Sequence, residues 1–431
     1  MKNKAIGLFQ GIALYISAIL GSGVLFLSGV TASIAGPASI VSWFIVIIIS
    51  FPLAYSFASL ARIFPDSGGA ATFVRNSFGY HLGNIVGWFY FVTAAVGQTI
   101  VSLTGAFYVS QAFGFSHFET ILIAVFILVI AGVSNYYGVN VSGKVALILS
   151  SLLLILLASA VFVAFPRIQW GNFNPFVPNG WFSVGNAITV IFWSFFGWEA
   201  ICNLAEHFKR PEKDIVKGAV ISAVVIGLLF LALSLVTIGT ATYGSQESNL
   251  SPIGVIMGDT VGGGAKVVTA VLALIICTGT ANAFVASLTQ LGYSLSRDGA
   301  FPKFFSRLHA TTQIPRQMVL FVICFSVAGV LVTKALSLTF DDILFIPTSL
   351  GILVYVLSMA AGVKLFRRNT PAWWASLISF ILCLLVIPFF QLYIFVPLIV
   401  VAIYTIYMIY MILSNKIFTY KGGLKSNEGS K

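Results

Sequence analysis

The chain has 431 residues, of which 59% are hydrophobic and only 8% charged. Ordinary soluble domains carry about 25% charged residues, so this composition excludes a soluble globular protein. The formal charge of +11 would point to nucleic acid in a soluble chain, but its placement along the sequence has another explanation.

Apolar runs long enough to cross a membrane recur almost end to end, near 6–35, 38–61, 82–113, 119–135, 145–165, 183–205, 218–242, 267–295, 318–333, 343–363, 372–388 and 391–413. The first is too long for a signal-peptide core and has no convincing cleavage site, so it is expected to stay as the first span. With these spans, all 23 Lys and Arg residues fall in alternate loops except Arg167, Lys266 and Lys334. The positive-inside rule then puts both termini in the cytoplasm, as an even number of spans requires. The expected fold class is an all-α polytopic membrane protein with 12 transmembrane helices. Cys202, Cys277, Cys324 and Cys383 lie inside spans without metal-ligand spacing, so buried free thiols and no metal are expected. His81, His117, His207 and His309 lie in loops or at span ends, which leaves no intramembrane histidine relay.

The first span carries Gly21-Ser22-Gly23 at its middle. Glycine costs roughly 1 kcal/mol in a helix interior relative to alanine. A loosened turn in hydrocarbon also leaves backbone polar groups unpaired, at several kcal/mol each. Two readings fit these residues alone. Either small residues let neighbouring helices pack closely, or the helix is discontinuous and its exposed N–H groups hold an anion such as a substrate carboxylate.

The cytoplasmic loop Arg62 to Tyr80 reads as a solvated connector or as a shaped segment packed under the bundle. The third span is polar for lipid, with Thr93, Gln98, Thr99, Ser102 and Thr104. Gln98 is expected to face inward, as glue between helices in preference to cavity lining. The outer loop Pro166 to Phe182, rich in Pro, Gly and Trp, reads as a compact cap.

A second interruption lies in Ile191 to Glu206, IFWSFFGWEAICNLAE, where Gly197 is mid-span and Glu199 is the only acidic residue placed in the hydrocarbon. A carboxylate there costs about 2.5–3.5 kcal/mol on insertion scales, so it should face the interior. Alone, it reads equally as a structural carboxyl with aromatic packing around it. Paired with the first break, it falls in the corresponding span of a second five-helix half, the pattern of a midplane site between inverted repeats. Past Glu206, a charged stretch interrupted by Pro211 reads as a short cytoplasmic surface helix. The Gly/Ser-rich outer loop 243–266 reads as a mobile lid. Span eight carries Thr278, Thr280, Asn282 and Ser287. Spans eleven and twelve look like an appended pair without polar interior residues, and the polar tail after Lys416 is expected to be disordered.

Together these residues resemble the amino acid–polyamine–organocation transporter superfamily over nearly the whole chain. The matching words are Gly21-Ser22-Gly23, Pro65-Asp66-Ser67-Gly68-Gly69, Phe196-Gly197-Trp198-Glu199, Glu206 through Asp214, and Ser296-Arg297-Asp298-Gly299-Ala300-Phe301-Pro302. The stretch from Trp193 to Asp214 further resembles the branch that exports methionine and branched-chain amino acids. The resemblance implies a LeuT-like fold with a 5+5 inverted repeat, discontinuous helices 1 and 6, and two C-terminal helices. The transport core would occupy 1–366, helices 11 and 12 would occupy 367–414, and a cytoplasmic tail 415–431. The resemblance implies alternating access, with the substrate carboxylate at Ser22 and Gly23, where a helix dipole adds about 0.3–2 kcal/mol. It implies that the ammonium meets carbonyls of Ile19, Trp193 and Phe196, with Gly21 and Gly197 completing the substrate-binding set. Trp193 looks like the aromatic gate of related antiporters and Glu199 like their proton-coupling carboxylate. Some proton-coupled relatives hold a lysine near Leu153 of span five, and this chain has none. No cofactor is implied. The implied setting is the cell membrane, as a monomer or homodimer.

No further charge lies near the breaks, which disfavours arginine, lysine, glutamate and polyamines and leaves neutral, hydrophobic amino acids by elimination. Intramembrane hydrolysis would need a nucleophile–base pair, two carboxylates or a metal cluster, and a single Glu199 argues against all three. No Walker-type glycine loop is present for nucleotide-driven pumping. An exporter or exchanger of amino acids, a proton-coupled importer and a membrane sensor that binds amino acids without moving them are the functions left open.

Overall fold

The computed structural model describes residues 7–64, 69–138, 143–198 and 208–427. Glu199, Cys202, Glu206, His207 and the stretch from Pro65 to Gly68 lie outside the described residues. In chain order the helices are α1 (Leu8–Ile19), α2 (Leu27–Ala35), α3 (Ser39–Ile63), α4 (Gly69–Phe78), α5 (Tyr80–Phe113), α6 (His117–Tyr137), α7 (Gly143–Ala164) and α8 (Phe182–Ile191). There follow α9 (Pro211–Gly239), α10 (Gln246–Leu250), α11 (Pro252–Val261), α12 (Gly263–Arg297), α13 (Arg316–Ala335), α14 (Phe340–Leu365), α15 (Pro371–Leu384) and α16 (Phe395–Asn427).

Among the described residues nine helices are long and apolar enough to cross a membrane, with α2 and α3 merged into one stretch, Leu27–Ile63. The sequence expectation of twelve also counts 6–35, which holds α1 and α2, 183–205, which begins with α8, and 372–388, which holds α15. Each of these helices is shorter than the roughly 20 residues a perpendicular crossing needs. The helix is interrupted between α1 and α2 and again after α8, and α15 stops at Leu384.

Several local expectations are corrected. Pro211 does not interrupt a surface helix. It is the first residue of α9, where a missing N–H costs nothing, and the helix runs unbroken to Gly239. Loop 243–266 carries α10 and α11. The α10 backbone packs so closely on α2 that a Cβ on Gly29 would lie 2.6 Å from the carbonyl oxygens of Ser248 and Asn249. Asn249 Nδ2 also donates to Ser33 Oγ at 3.0 Å. The helix α14 starts at Phe340, three residues before the expected span, and holds Asp341 and Asp342 in its first turn. Asp342 is there as half of a capping box, its Oδ2 accepting the Thr339 N–H at 2.9 Å while Thr339 Oγ1 accepts the Asp342 N–H at 3.2 Å. In the eleventh span α15 buries Ser376 and Ser379, and Ser376 Oγ bonds Ser56 Oγ at 3.2 Å. Cys277 and Cys383 are buried, but Cys324 is exposed. The tail is helical as far as Asn427.

The interior is formed by α14 and α5, whose apolar windows are 78% and 67% buried, against 17% for the stretch Ile387–Leu413. The last helix therefore faces lipid, and α5 is the post on which the others lean. Gln98 and Thr99 tie it to α13: Ser326 Oγ donates to Gln98 Oε1 at 3.2 Å, and Thr99 Oγ1 donates to the Ser326 carbonyl at 3.1 Å. Thr93 Oγ1 donates to the Pro347 carbonyl of α14 at 3.4 Å.

Loop contacts sort onto two ends, as the alternation of basic residues implies. At one end α4 packs under the bundle. Arg75 pairs with Asp298 at 3.4 Å and donates to Asn84 Oδ1 at 3.0 Å, and Lys364 Nζ donates to the Ser77 carbonyl at 2.7 Å. Trp88 Nε1 donates to the Ala300 carbonyl at 2.9 Å, which gives the Ser296-to-Pro302 motif its place. At the other end Asn179 Nδ2 donates to the Ile34 carbonyl at 2.8 Å, and Lys266 meets Glu247 at 3.4 Å.

Candidate functional site

The first break begins where Leu20 leaves the helix with ψ 64. Gly21 is extended, with φ −81 and ψ −165. Its N–H turns back to the Ile19 carbonyl at 2.8 Å. Ser22–Leu25 then form a single 3-10 turn before α2 starts at Leu27. In such a turn each N–H reaches back three residues, so those of Ser22 and Gly23 have no acceptor within it. The other side of the gap is closed from α5, where Tyr108 Oη donates to the Leu25 carbonyl at 2.6 Å. Ile19 and Ser22 are buried.

The second break follows α8. Phe192–Phe195 form a 3-10 turn, Phe196 is extended, and Gly197 has φ +142, a conformation that side-chain-bearing residues avoid. A phenol from α14 bridges this gap. Tyr355 Oη donates to the Phe195 carbonyl at 2.9 Å and accepts the Gly197 N–H at 3.3 Å. The Tyr355 ring is held by Phe57 at 4.9 Å and by Phe196 at 5.3 Å between centroids.

The two breaks touch. A Cβ on Gly23 would lie 2.6 Å from Ser194 Oγ and 2.8 Å from Trp193 Cδ1. The far edge of the Trp193 ring rests on α5, with its Cη2 2.5 Å from a Cβ on Gly97. Phe196 lies edge-on to Trp193 at 6.4 Å and presses on Gly351 of α14, where a Cβ would stand 2.3 Å from its ring. Among the described residues no atom lies within 4 Å of a Cβ on Gly21. Toward the end where Ser33 meets Asn249, Phe26 lies edge-on to Phe340 at 4.9 Å, and Phe107 meets the same ring at 5.9 Å.

Of the residues singled out from sequence, Ser22, Gly23, Trp193 and Phe196 come together at this junction, with Ile19 and Gly21 at the start of the first break and Gly197 at the second. Glu199 lies outside the described residues. Sequence reading missed Tyr108, Tyr355, Ser194, Gly97 and Gly351. Their only signal was a polar or small residue in an apolar run, which names no partner. The lining so described is backbone, aromatic rings and hydroxyls, a set suited to holding a small zwitterion by its polar ends and packing apolar surface around the rest.

A family model described as amino acid permease matches residues 6–419. The chain belongs to the amino acid permease family. It is 34% identical over 388 residues, covering 90% of this chain and 91% of the relative, to the uncharacterized amino acid permease YecA of Bacillus subtilis. It is 27% identical over 368 residues, 85% of this chain and 87% of the relative, to the L-methionine/branched-chain amino acid exporter YjeH of Escherichia coli. It is 24% identical over 388 residues, 86% and 87% respectively, to the putrescine transporter PotE of Haemophilus influenzae. The family and these relatives are transporters rather than enzymes, and this permease is a multi-pass membrane protein of amino acid transport.

Two predictions follow from the crowding and the bridging phenol. Alanine at Gly23 must push Trp193 and Ser194 away, so Gly23→Ala is expected to weaken substrate binding at least about tenfold, whereas Gly21→Ala should bind within about twofold of the parent. Equilibrium binding to the purified permease checks the pair, and equal effects would refute the crowding. Tyr355→Phe removes both bonds across the second gap, at about 1–3 kcal/mol. The thermal unfolding midpoint in detergent should fall, and an unchanged midpoint would show that the gap does not depend on the phenol.

Proposed function

We propose that this permease is a secondary active transporter that carries neutral, hydrophobic L-amino acids by alternating access, as an exporter or exchanger coupled to protons. The observation that carries the reading is the contact of two broken helices, Gly23 against Trp193 and Ser194, beside unpaired backbone groups of the first break. In this reading the substrate carboxylate lies at the N–H groups of Ser22 and Gly23. Its ammonium meets the carbonyls of Ile19, Trp193 and Phe196, with Gly21 and Gly197 freeing the backbone on either side. Trp193 is the gate. Glu199 exchanges the coupled proton, the role that fits a carboxylate six residues past the gate in the same span.

The choice of substrate rests on the lining. Phe26, Tyr108, Trp193, Phe196 and Tyr355 surround the breaks, and none carries a charge to pair with a cationic or anionic side chain. Similarity to YjeH, named for methionine and branched-chain amino acids, supports the same choice. Similarity to PotE supports a second reading, putrescine transport, in which Glu199 would hold one ammonium. The proposed architecture is twelve crossings, the first made by α1 and α2 together, the sixth beginning with α8 and the eleventh made by α15, in a 5+5 inverted repeat over 1–366, helices 11 and 12 over 367–414, and both termini in the cytoplasm at the cell membrane.

The test is flux from proteoliposomes loaded with labelled leucine, methionine or putrescine, with and without a pH gradient. Leucine or methionine efflux that saturates and responds to the gradient is expected. Movement of putrescine in their place would favour the polyamine reading, and saturable binding without flux would make the protein a sensor. Glu199→Gln should flatten the pH dependence of transport more than it changes affinity, and an unchanged pH profile would remove Glu199 from proton coupling.

A further inference from the structure

The connection between α12 and α13 carries more positive charge than its surroundings pair. From Ser296 to Gln317 it holds Arg297, Lys303, Arg307 and Arg316 against one acid, Asp298. That acid is already met by Arg75 at 3.4 Å and by Arg297 at 3.2 Å. The sequence has no other acid between Asp298 and Asp341, and none between Glu119 and Glu199. Among the described residues the side chains of Arg307 and Arg316 have no ion-pair or hydrogen-bond partner, and Arg316 Nε is buried without one. Both guanidiniums rest on aromatic rings instead. Arg307 lies 5.6 Å from the ring centroid of Phe304, and Arg316 lies 4.6 Å from that of Tyr136 at the end of α6. The chain between them folds back on itself, with the His309 N–H donating to the Ile314 carbonyl at 2.9 Å. The two arginines therefore flank the neck of one hairpin.

Next to this charge the surface turns apolar. The helices α6 and α13 pack so closely that a Cβ on Gly132 would lie 2.6 Å from Ile323 Cγ1. On α13, Leu320 and Cys324 follow Arg316 at steps of four along one face and are exposed. On α6, Ile130, Val133 and Tyr137 are exposed in the same way. Both helices are long and apolar enough to cross a membrane, so their joined end lies at headgroup depth whichever way the chain is oriented. We propose that Arg307 and Arg316 bind the phosphate of an anionic phospholipid whose acyl chains lie along Leu320 and Val133. A cation–π contact holds a guanidinium in place and leaves its N–H fork for phosphate oxygens. A second copy presenting the same face would bring its own arginines against these, and a zwitterionic headgroup would bring an ammonium. An anionic headgroup brings neither. Bound there, the lipid fastens the hairpin to α13, which Ser326 ties to Gln98 of α5.

The experiment gives the purified, delipidated full chain dioleoyl phosphatidylglycerol or dioleoyl phosphatidylcholine in detergent. Retained lipid is counted by native mass spectrometry, and the thermal midpoint is measured beside it. Wild type is expected to hold phosphatidylglycerol at least about tenfold more tightly than phosphatidylcholine, and to unfold at a higher temperature with it. Combining Arg307→Gln with Arg316→Gln should remove that preference. Arg307→Gln alone, at an exposed position whose loss leaves the fold intact, should reduce it by about threefold or more. Lys334→Gln serves as the control, because Lys334 rests on the Phe118 ring at the far end of α13, and it should behave as wild type. Equal retention of phosphatidylglycerol by wild type and the double variant overturns the site, as does an equal loss in Lys334→Gln. A midpoint raised by millimolar inorganic phosphate as much as by phosphatidylglycerol would also overturn it, since the site would then take a free anion and not a lipid.

Discussion

In a lipid environment a helix cannot open without something taking over its backbone hydrogen bonds, and that constraint shapes this permease more than any other. Both breaks are deep in the bundle, and each is closed by one tyrosine. Tyr108 serves the Leu25 carbonyl, and Tyr355 serves the Phe195 carbonyl and the Gly197 N–H together. A phenol suits the task because its ring packs as an aromatic while its tip both donates and accepts. The two tyrosines come from α5 and α14, the most buried helices of the bundle, so the gaps are held by the parts least free to move.

Once the gaps are stabilised, their shape is set by what is missing from three glycines. Gly23, Gly97 and Gly351 each present bare backbone to a ring or hydroxyl of the second break, and at each a Cβ would come within 2.6 Å of that group. The sequence offers packing and ligand binding as rival explanations for Gly21-Ser22-Gly23, and the structure divides them by residue. Gly23 is a close-packing glycine at the point where the breaks meet. Gly21 has an extended backbone and, among the described residues, nothing near its Cβ position, so close packing is not its part.

Much of this was legible beforehand, for a physical reason. Apolar length, loop charge and helix-breaking residues are one-dimensional signals, and lipid makes them strict, so the interruptions at Gly21 and at Gly197 and the outline of nearly all the helices could be read directly. What could not be read depends on partners distant in sequence. Tyr355 lies 160 residues from the carbonyl it serves, and nothing in its own neighbourhood marks it. Pro211 was misread because proline breaks a helix interior and begins a helix equally well, and only the position of the N-cap decides. The helices within 243–266 were not read because the segment's glycines and serines are turn formers by composition. There, Ser245 caps α10 and Gly29 of α2 makes room for the α10 backbone. Asp341 and Asp342 were left out of the helix because the expected span was bounded by apolar residues, whereas the Thr339 cap starts the helix at Phe340.

The helix α14 meets both breaks. Its first residue, Phe340, stacks edge-on against Phe26 at the foot of α2, and Tyr355, fifteen positions on, holds the second break. Between them lies Pro347, whose ring removes one hydrogen bond from the helix and whose carbonyl is held from α5 by Thr93. A helix missing one internal bond bends there at less cost than elsewhere. Pro347 thus divides α14 into a first part that meets Phe26 through Phe340 and a second part that bridges the second gap through Tyr355.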